Sequence, residues 1–132
     1  MIERHNESIN SICQLDDGTI VSSLHYTIMI GDYTIKNAHN ERIWKVIALP
    51  NNKIASCSND YTIKIWKNNI PIKVLEGHSS YVTSLLYIKE RDIMISGADD
   101  GTLRLWNIST FQCVTMIEGV ECLDKDRVIV CG

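Results

Sequence analysis

Several things are missing from this chain of 132 residues, and each absence closes off a class of protein. Unbroken apolar runs extend only a few residues, far short of the roughly 20 that a membrane-crossing helix needs. The opening Met1-Ile2-Glu3-Arg4-His5 has none of the apolar core of a secretory leader. Charge of one sign is not in excess: 13 Lys and Arg stand against 16 Asp and Glu, for a formal net charge of -3. The basic residues are dispersed, so no nucleic-acid surface is indicated. The five cysteines, Cys13, Cys57, Cys113, Cys122 and Cys131, are odd in number and contain no C-x-x-C pair. They are expected to be buried thiols in a reducing, intracellular compartment (cytoplasmic or nuclear) rather than disulfides or metal ligands. No phosphate-cradling glycine loop and no Gly-x-Ser-x-Gly elbow occurs. Neither a cofactor nor a membrane partner is expected.

What is present is a repeated pattern. From Gly77-His78, a β-forming run Val82-Thr83-Ser84-Leu85-Leu86-Tyr87 leads to a charged turn, Lys89-Glu90-Arg91-Asp92. A second strand, Ile93-Met94-Ile95-Ser96, precedes the tight turn Asp99-Asp100-Gly101, and Thr102-Leu103-Arg104-Leu105-Trp106 alternates as a third strand. The same order occurs upstream: Ala38-His39, then a strand from Ile43 to Leu49, a Pro50-Asn51-Asn52 turn, Ile54-Ala55-Ser56, Asn59-Asp60-Tyr61 and Thr62-Ile63-Lys64-Ile65-Trp66. Both copies share a His, a Ser-x-x-x-Asp and a Trp six residues past the Asp. Trp66 and Trp106 lie about 40 residues apart, the period of four-stranded propeller blades.

The copies divide the chain. Residues 5–37 read as a degraded first unit, in which His5 precedes Ile9 as His39 precedes Ile43, Val21 takes the Ser place, His25 the Asp place and Gly31 the Trp place. His25 reads as a turn residue. Residues 38–76 and 77–117 are complete, with outer strands expected near residues 72–75 and 112–117. Pro71 is compatible with an outermost strand, which has one unpaired edge. Residues 118–132 begin a fourth unit, with strands at 120–123 and 127–130 around an Asp124-Lys125-Asp126 turn, and Cys131-Gly132 in the place of Ser96-Gly97.

These residues resemble WD repeats, the blades of a β-propeller. The departure is small: the name-giving Trp-Asp is here Trp66-Lys67 and Trp106-Asn107. The resemblance implies an all-β fold, a partial WD-repeat β-propeller of four-stranded antiparallel blades forming an incomplete ring. It also implies a hydrogen-bonded structural tetrad in each complete blade: His39, Ser56, Asp60 and Trp66, then His78, Ser96, Asp100 and Trp106. A catalytic triad of His, Ser and Asp has the same residue types. Its recurrence in two copies, each with a covering Trp, argues for structure instead, so no catalytic residue and no enzymatic role is expected. The histidines recur at repeat spacing without the close pairing of zinc ligands, so no metal site is expected either.

In WD propellers, partners meet a face built from three positions per blade. The resemblance places these at Ser8, Asn10 and Leu24, at Arg42, Trp44 and Asn59, and at Tyr81, Thr83 and Asp99. Arg42, Trp44 and Tyr81 are the types enriched at hot spots. Alternation puts Trp44 opposite a core-facing Ile43, so it also suits packing between blades or in the channel. The expected function is a non-catalytic interaction scaffold that presents this loop face to a protein or peptide partner. The alternative is the substrate-receptor portion of a ubiquitin ligase complex, although the Trp-Asp-x-Arg signature of adaptor-binding propellers is absent. Just over three blades leave apolar faces open, so the remaining blades of a longer parent chain, or self-association, are expected to complete the ring.

Overall fold

The period-two alternation becomes strands throughout the computed structural model, which describes residues 8–118 and the backbone of 120–123 and 128–130. Strands β1 (Ser11–Gln14), β2 (Ile20–Leu24), β3 (Thr27–Ile30) and β4 (Tyr33–Ile35) form the first sheet. The second is β5 (Ile43–Leu49), β6 (Lys53–Ser58), β7 (Ile63–Lys67) and β8 (Ile70–Leu75). The third is β9 (Val82–Ile88), β10 (Ile93–Ala98), β11 (Thr102–Asn107) and β12 (Cys113–Glu118). Each is an antiparallel meander with strands adjacent in chain order, and β13 (Val120–Leu123) with β14 (Val128–Val130) makes a two-stranded fourth. The molecule is all-β, a run of propeller blades whose ring is not closed among the described residues. His5, the Asp124–Asp126 turn and Cys131-Gly132, for which the sequence carried expectations, lie outside those residues.

Two apolar layers join the blades. Between the first and second, Leu15, Val21 and Ile28 meet Ile43, Val46, Ile54 and Trp66. Between the second and third, Ala55, Cys57, Ile63, Ile65 and Leu75 meet Val82, Leu85, Met94 and Trp106. The second sheet thus uses both faces, which is why β6 reads as buried from Ile54 to Ser58 without alternation.

Register corrects one sequence assignment. Ser56 pairs with Lys64 and Ser96 with Arg104, while in the first blade the equivalent pair is Ser22 with Met29. The Ser place therefore belongs to Ser22, and Val21 matches Ala55 on the opposite face. The cause is the β2–β3 turn, which is one residue shorter and closes on His25 and Tyr26 with His25 left-handed at φ 52°. A one-residue change of register swaps faces.

The thiols also differ from expectation. Cys57 is buried, and burial pushes it up to about 12; Cys13 is half-buried and raised to about 11. Cys113, however, is exposed. It sits opposite Trp106, where a bulge shifts the register of the outermost strand.

The first blade has one bare face. Ile12 and Ile20 are 66% and 47% exposed, whereas their register equivalents Val46 and Ile54 are 1% and 2% exposed, and Leu85 and Met94 2% and 0%. In the second and third blades these positions are covered by the preceding blade.

Candidate functional site

The polar quartets come together in space. Asp60 lies 2.8 Å from His39 Nδ1, His39 Nε2 lies 2.7 Å from Ser56 Oγ, and Trp66 Nε1 donates to the same Oγ at 2.9 Å. The third blade repeats this, with 3.1 Å from His78 Nδ1 to Asp100, 2.7 Å from His78 Nε2 to Ser96, and 2.9 Å from Trp106 Nε1 to Ser96. Donor chemistry orders the chain. An indole N–H only donates and a carboxylate only accepts, so the imidazole donates its Nδ1–H to the Asp and, when neutral, accepts a hydrogen bond from the Ser hydroxyl at Nε2. Ser56 and Ser96 are both 0% exposed.

Each carboxylate also braces its own turn. Thr62 donates to Asp60 Oδ1 from its hydroxyl at 2.6 Å and its amide at 2.9 Å, and Thr102 does the same to Asp100. The Ser79 amide adds a bond to Asp100 Oδ2 at 2.9 Å. Burial pushes the Asp60 carboxyl up, but His39 and Thr62 outweigh it and hold it down at about 2. At Asp100 burial is likewise outweighed, by Thr102, Ser79 and His78, leaving it at about 2. Burial lowers His78 below its ordinary value, against the pull of Asp100. The two threonines were not singled out from the sequence, although the recurrence of Asp60-Tyr61-Thr62 and Asp100-Gly101-Thr102 carries the signal. Lys64 and Arg104 were also passed over. They donate to the carbonyls of Ala38 and Gly77, just before each His, at 2.8 and 2.9 Å.

The six face residues fall into two groups. Arg42 lies 4.4 Å over the Trp44 ring, Trp44 Nε1 donates to Asn59 Oδ1, and the Asn59 amide binds the Arg42 carbonyl at 2.9 Å. Trp44 is half-buried and packs on the layer between the second and third blades, while Ile43 packs on the opposite layer. Asn10 of the first blade joins this group, donating to the Ile43 carbonyl at 2.7 Å and receiving Arg42 at 3.5 Å. In the second group the Asp99 amide binds the Tyr81 carbonyl at 2.9 Å, and half-buried Thr83 follows Val82 on β9. Tyr61 of the second blade has its ring 6.3 Å from that of Tyr81 in the third. A cleft of about 360 Å³ opens among different turns, those holding Asp17, Asp32, Asn52 and Asn68.

Sequence comparison agrees with this geometry. Residues 32–67 and 69–107, together more than half of the chain, match the family described as WD domain, G-beta repeat. The chain belongs to the WD-repeat family. Each matched WD repeat straddles two sheets: 32–67 runs from β4, the outer strand of the first blade, through β5, β6 and β7 of the second, and 69–107 runs from β8 through β9, β10 and β11. Successive repeats are therefore interlocked by one strand.

Curated relatives fit the same family. Over 64 residues the chain is 38% identical to nuclear distribution protein nudF of Aspergillus flavus, covering 46% of this chain and 14% of that protein. Over 90 residues it is 36% identical to ubiquitin homeostasis protein lub1 of Schizosaccharomyces pombe, covering 65% of this chain and 12% of that protein. The chain thus matches only a small part of the length of these relatives.

Proposed function

We propose that this WD-repeat chain is a non-catalytic protein–protein interaction scaffold whose partner, a protein or peptide, meets the face around Arg42, Trp44, Asn59, Tyr81, Thr83 and Asp99. The observation that carries this reading is the division of labour between the two residue sets. The quartets are spent inside the blades, with both serine hydroxyls fully covered, so they brace the frame. The face residues stand at the ends of inner strands and at turns, pre-ordered by hydrogen bonds of their own. Rigid, partly exposed Arg, Trp and Tyr make contact area at low entropic cost. The test begins with peptides selected from a displayed library on the 132-residue chain. Affinity is then measured for Arg42→Ala and Trp44→Ala, each of which is expected to weaken binding about tenfold. Undiminished affinity in both would remove these residues from the site.

The bare face of the first blade suits a further blade, contributed by a longer parent chain or by a second copy. Light scattering checks this: a stable, well-folded monomer of this chain alone contradicts it. No helix among the described residues is long and apolar enough to cross a membrane. The similarity to the nuclear distribution and ubiquitin homeostasis proteins, together with three free thiols among the described residues, supports an intracellular setting.

Similarity to lub1, a protein named for ubiquitin homeostasis, favours a second reading, the substrate-receptor portion of a ubiquitin ligase complex. Stable co-purification with a ligase adaptor supports it; partner complexes that form without any adaptor favour the plain scaffold.

A further inference from the structure

Tyr61 is expensive where it stands. It takes the turn position that Gly101 fills in the third blade, and its backbone is left-handed at φ 74°. That conformation suits glycine and strains an L side chain. Burial does not compensate, because Tyr61 is 45% exposed. Its ring instead leans toward that of Tyr81, itself 43% exposed, at 6.3 Å and 42°. Neither phenol hydroxyl has a hydrogen-bond partner among the described residues. Asp99, joined to Tyr81 through its backbone amide, is exposed and has no ion pair there either. The first group on the same face is already complete, since the ring of Trp44 carries Arg42 of this same chain. The tyrosine pair has π-faces and an acidic residue bonded to it through the backbone, but no cation of its own among the described residues.

We propose that Tyr61, Tyr81 and Asp99 receive a cationic side chain, an arginine or lysine, of the partner peptide. This rests on the interaction-face reading and adds the chemistry of the guest. The ring quadrupoles attract the cation across their faces, and the unpaired Asp99 carboxylate supplies the opposite charge. Contact with the guest then offsets the strain at Tyr61.

The test is an amide-resolved NMR titration of the 132-residue chain with Ac-Gly-Ala-Arg-Ala-Gly-NH2. The same peptide carrying neutral citrulline in place of arginine is run in parallel. The arginine peptide is expected to shift amides of residues 59–62, 80–84 and 98–101, and the citrulline peptide to leave them in place. Asp99→Asn and Tyr61→Gly, both at exposed positions, are each expected to weaken binding about two- to fivefold. Equal shifts from both peptides, or undiminished binding by both variants, would overturn the proposal. Shifts confined to Arg42 and Trp44 overturn it while leaving the interaction face standing. Absence of any shift on this face removes the proposal, and the library selection above then decides the face separately.

Discussion

Tyr61 and Gly101 occupy equivalent turn positions in neighbouring blades, and the backbone is left-handed at both, with φ of 74° and 80°. The turn geometry is set by the Asp before it and the Thr after it, which bond to each other identically in the two blades. The side chain at the position between them is therefore free to vary, at a conformational cost. Replacing Tyr61 with Gly is expected to stabilise the chain by roughly 1 kcal/mol, from relief of the left-handed penalty. Urea unfolding measures this. A loss of stability would mean that the tyrosine ring packs usefully in the fold.

One hydroxyl serves two partners in each quartet. Ser56→Ala leaves the indole N–H of Trp66 and Nε2 of His39 buried without a partner, as Ser96→Ala does for Trp106 and His78. Each orphaned group costs about 1–3 kcal/mol, so either substitution is expected to lower the unfolding free energy by several kcal/mol. The unfolding free energies of the two single variants should agree closely, because the two sites are built alike. Near-neutral effects would show that the quartets do not brace the blades.

Stability should fall as pH falls, in two stages. His78 has a lowered value in the folded state, so its neutral form is favoured there, and its contribution is lost as pH drops below about 6.5. Asp60 and Asp100 are held at about 2 against an ordinary 3.8. Their contribution is complete above 3.8 and is lost as pH falls toward 2. Thermal melting from pH 8 to pH 2 is expected to show a flat region, a shallow decline and then a steep one. Asp100→Asn should blunt the steep stage.

Arg104 is packed over Gly77. A Cβ at Gly77 would stand 2.9 Å from Arg104 Cζ and Nη1, on a backbone with φ 144°. Gly77→Ala is expected to push the guanidinium off the Gly77 carbonyl and cost roughly 1–2 kcal/mol. Arg104→Met in the same background should cost less than it does alone, a coupling that a double-mutant cycle reads directly. Strict additivity would contradict the contact.

Much of this was legible in the residues because the repeat is built on local spacing. His39 to Asp60 and His78 to Asp100 recur with their Ser and Trp, and the tight turns and alternation placed most strands. The parts that were not legible depend on register or tertiary packing. Val21 aligned with Ser56 by counting, but a turn one residue shorter gave that place to Ser22. Cys113 is expected as a buried thiol on an outer strand; the strand is where the sequence puts it, but beside a bulge at its edge the thiol is exposed. Tyr61 belongs by sequence to the Asn59-Asp60-Tyr61 turn, but a positive φ and a ring from the next blade leave no mark in a single copy. Thr62 and Thr102 were visible as a recurrence, but their role appears only once the Asp side chains fold back onto them.

The separation of frame from face is the claim on which the rest depends. Its most direct test is to measure unfolding free energy and selected-peptide affinity together for Ser96→Ala and Tyr81→Ala. The account predicts that Ser96→Ala loses stability while its folded fraction binds as before, and that Tyr81→Ala keeps its stability and loses affinity. The opposite pattern, with peptide binding lost at the buried serine and untouched at the exposed tyrosine, would contradict it.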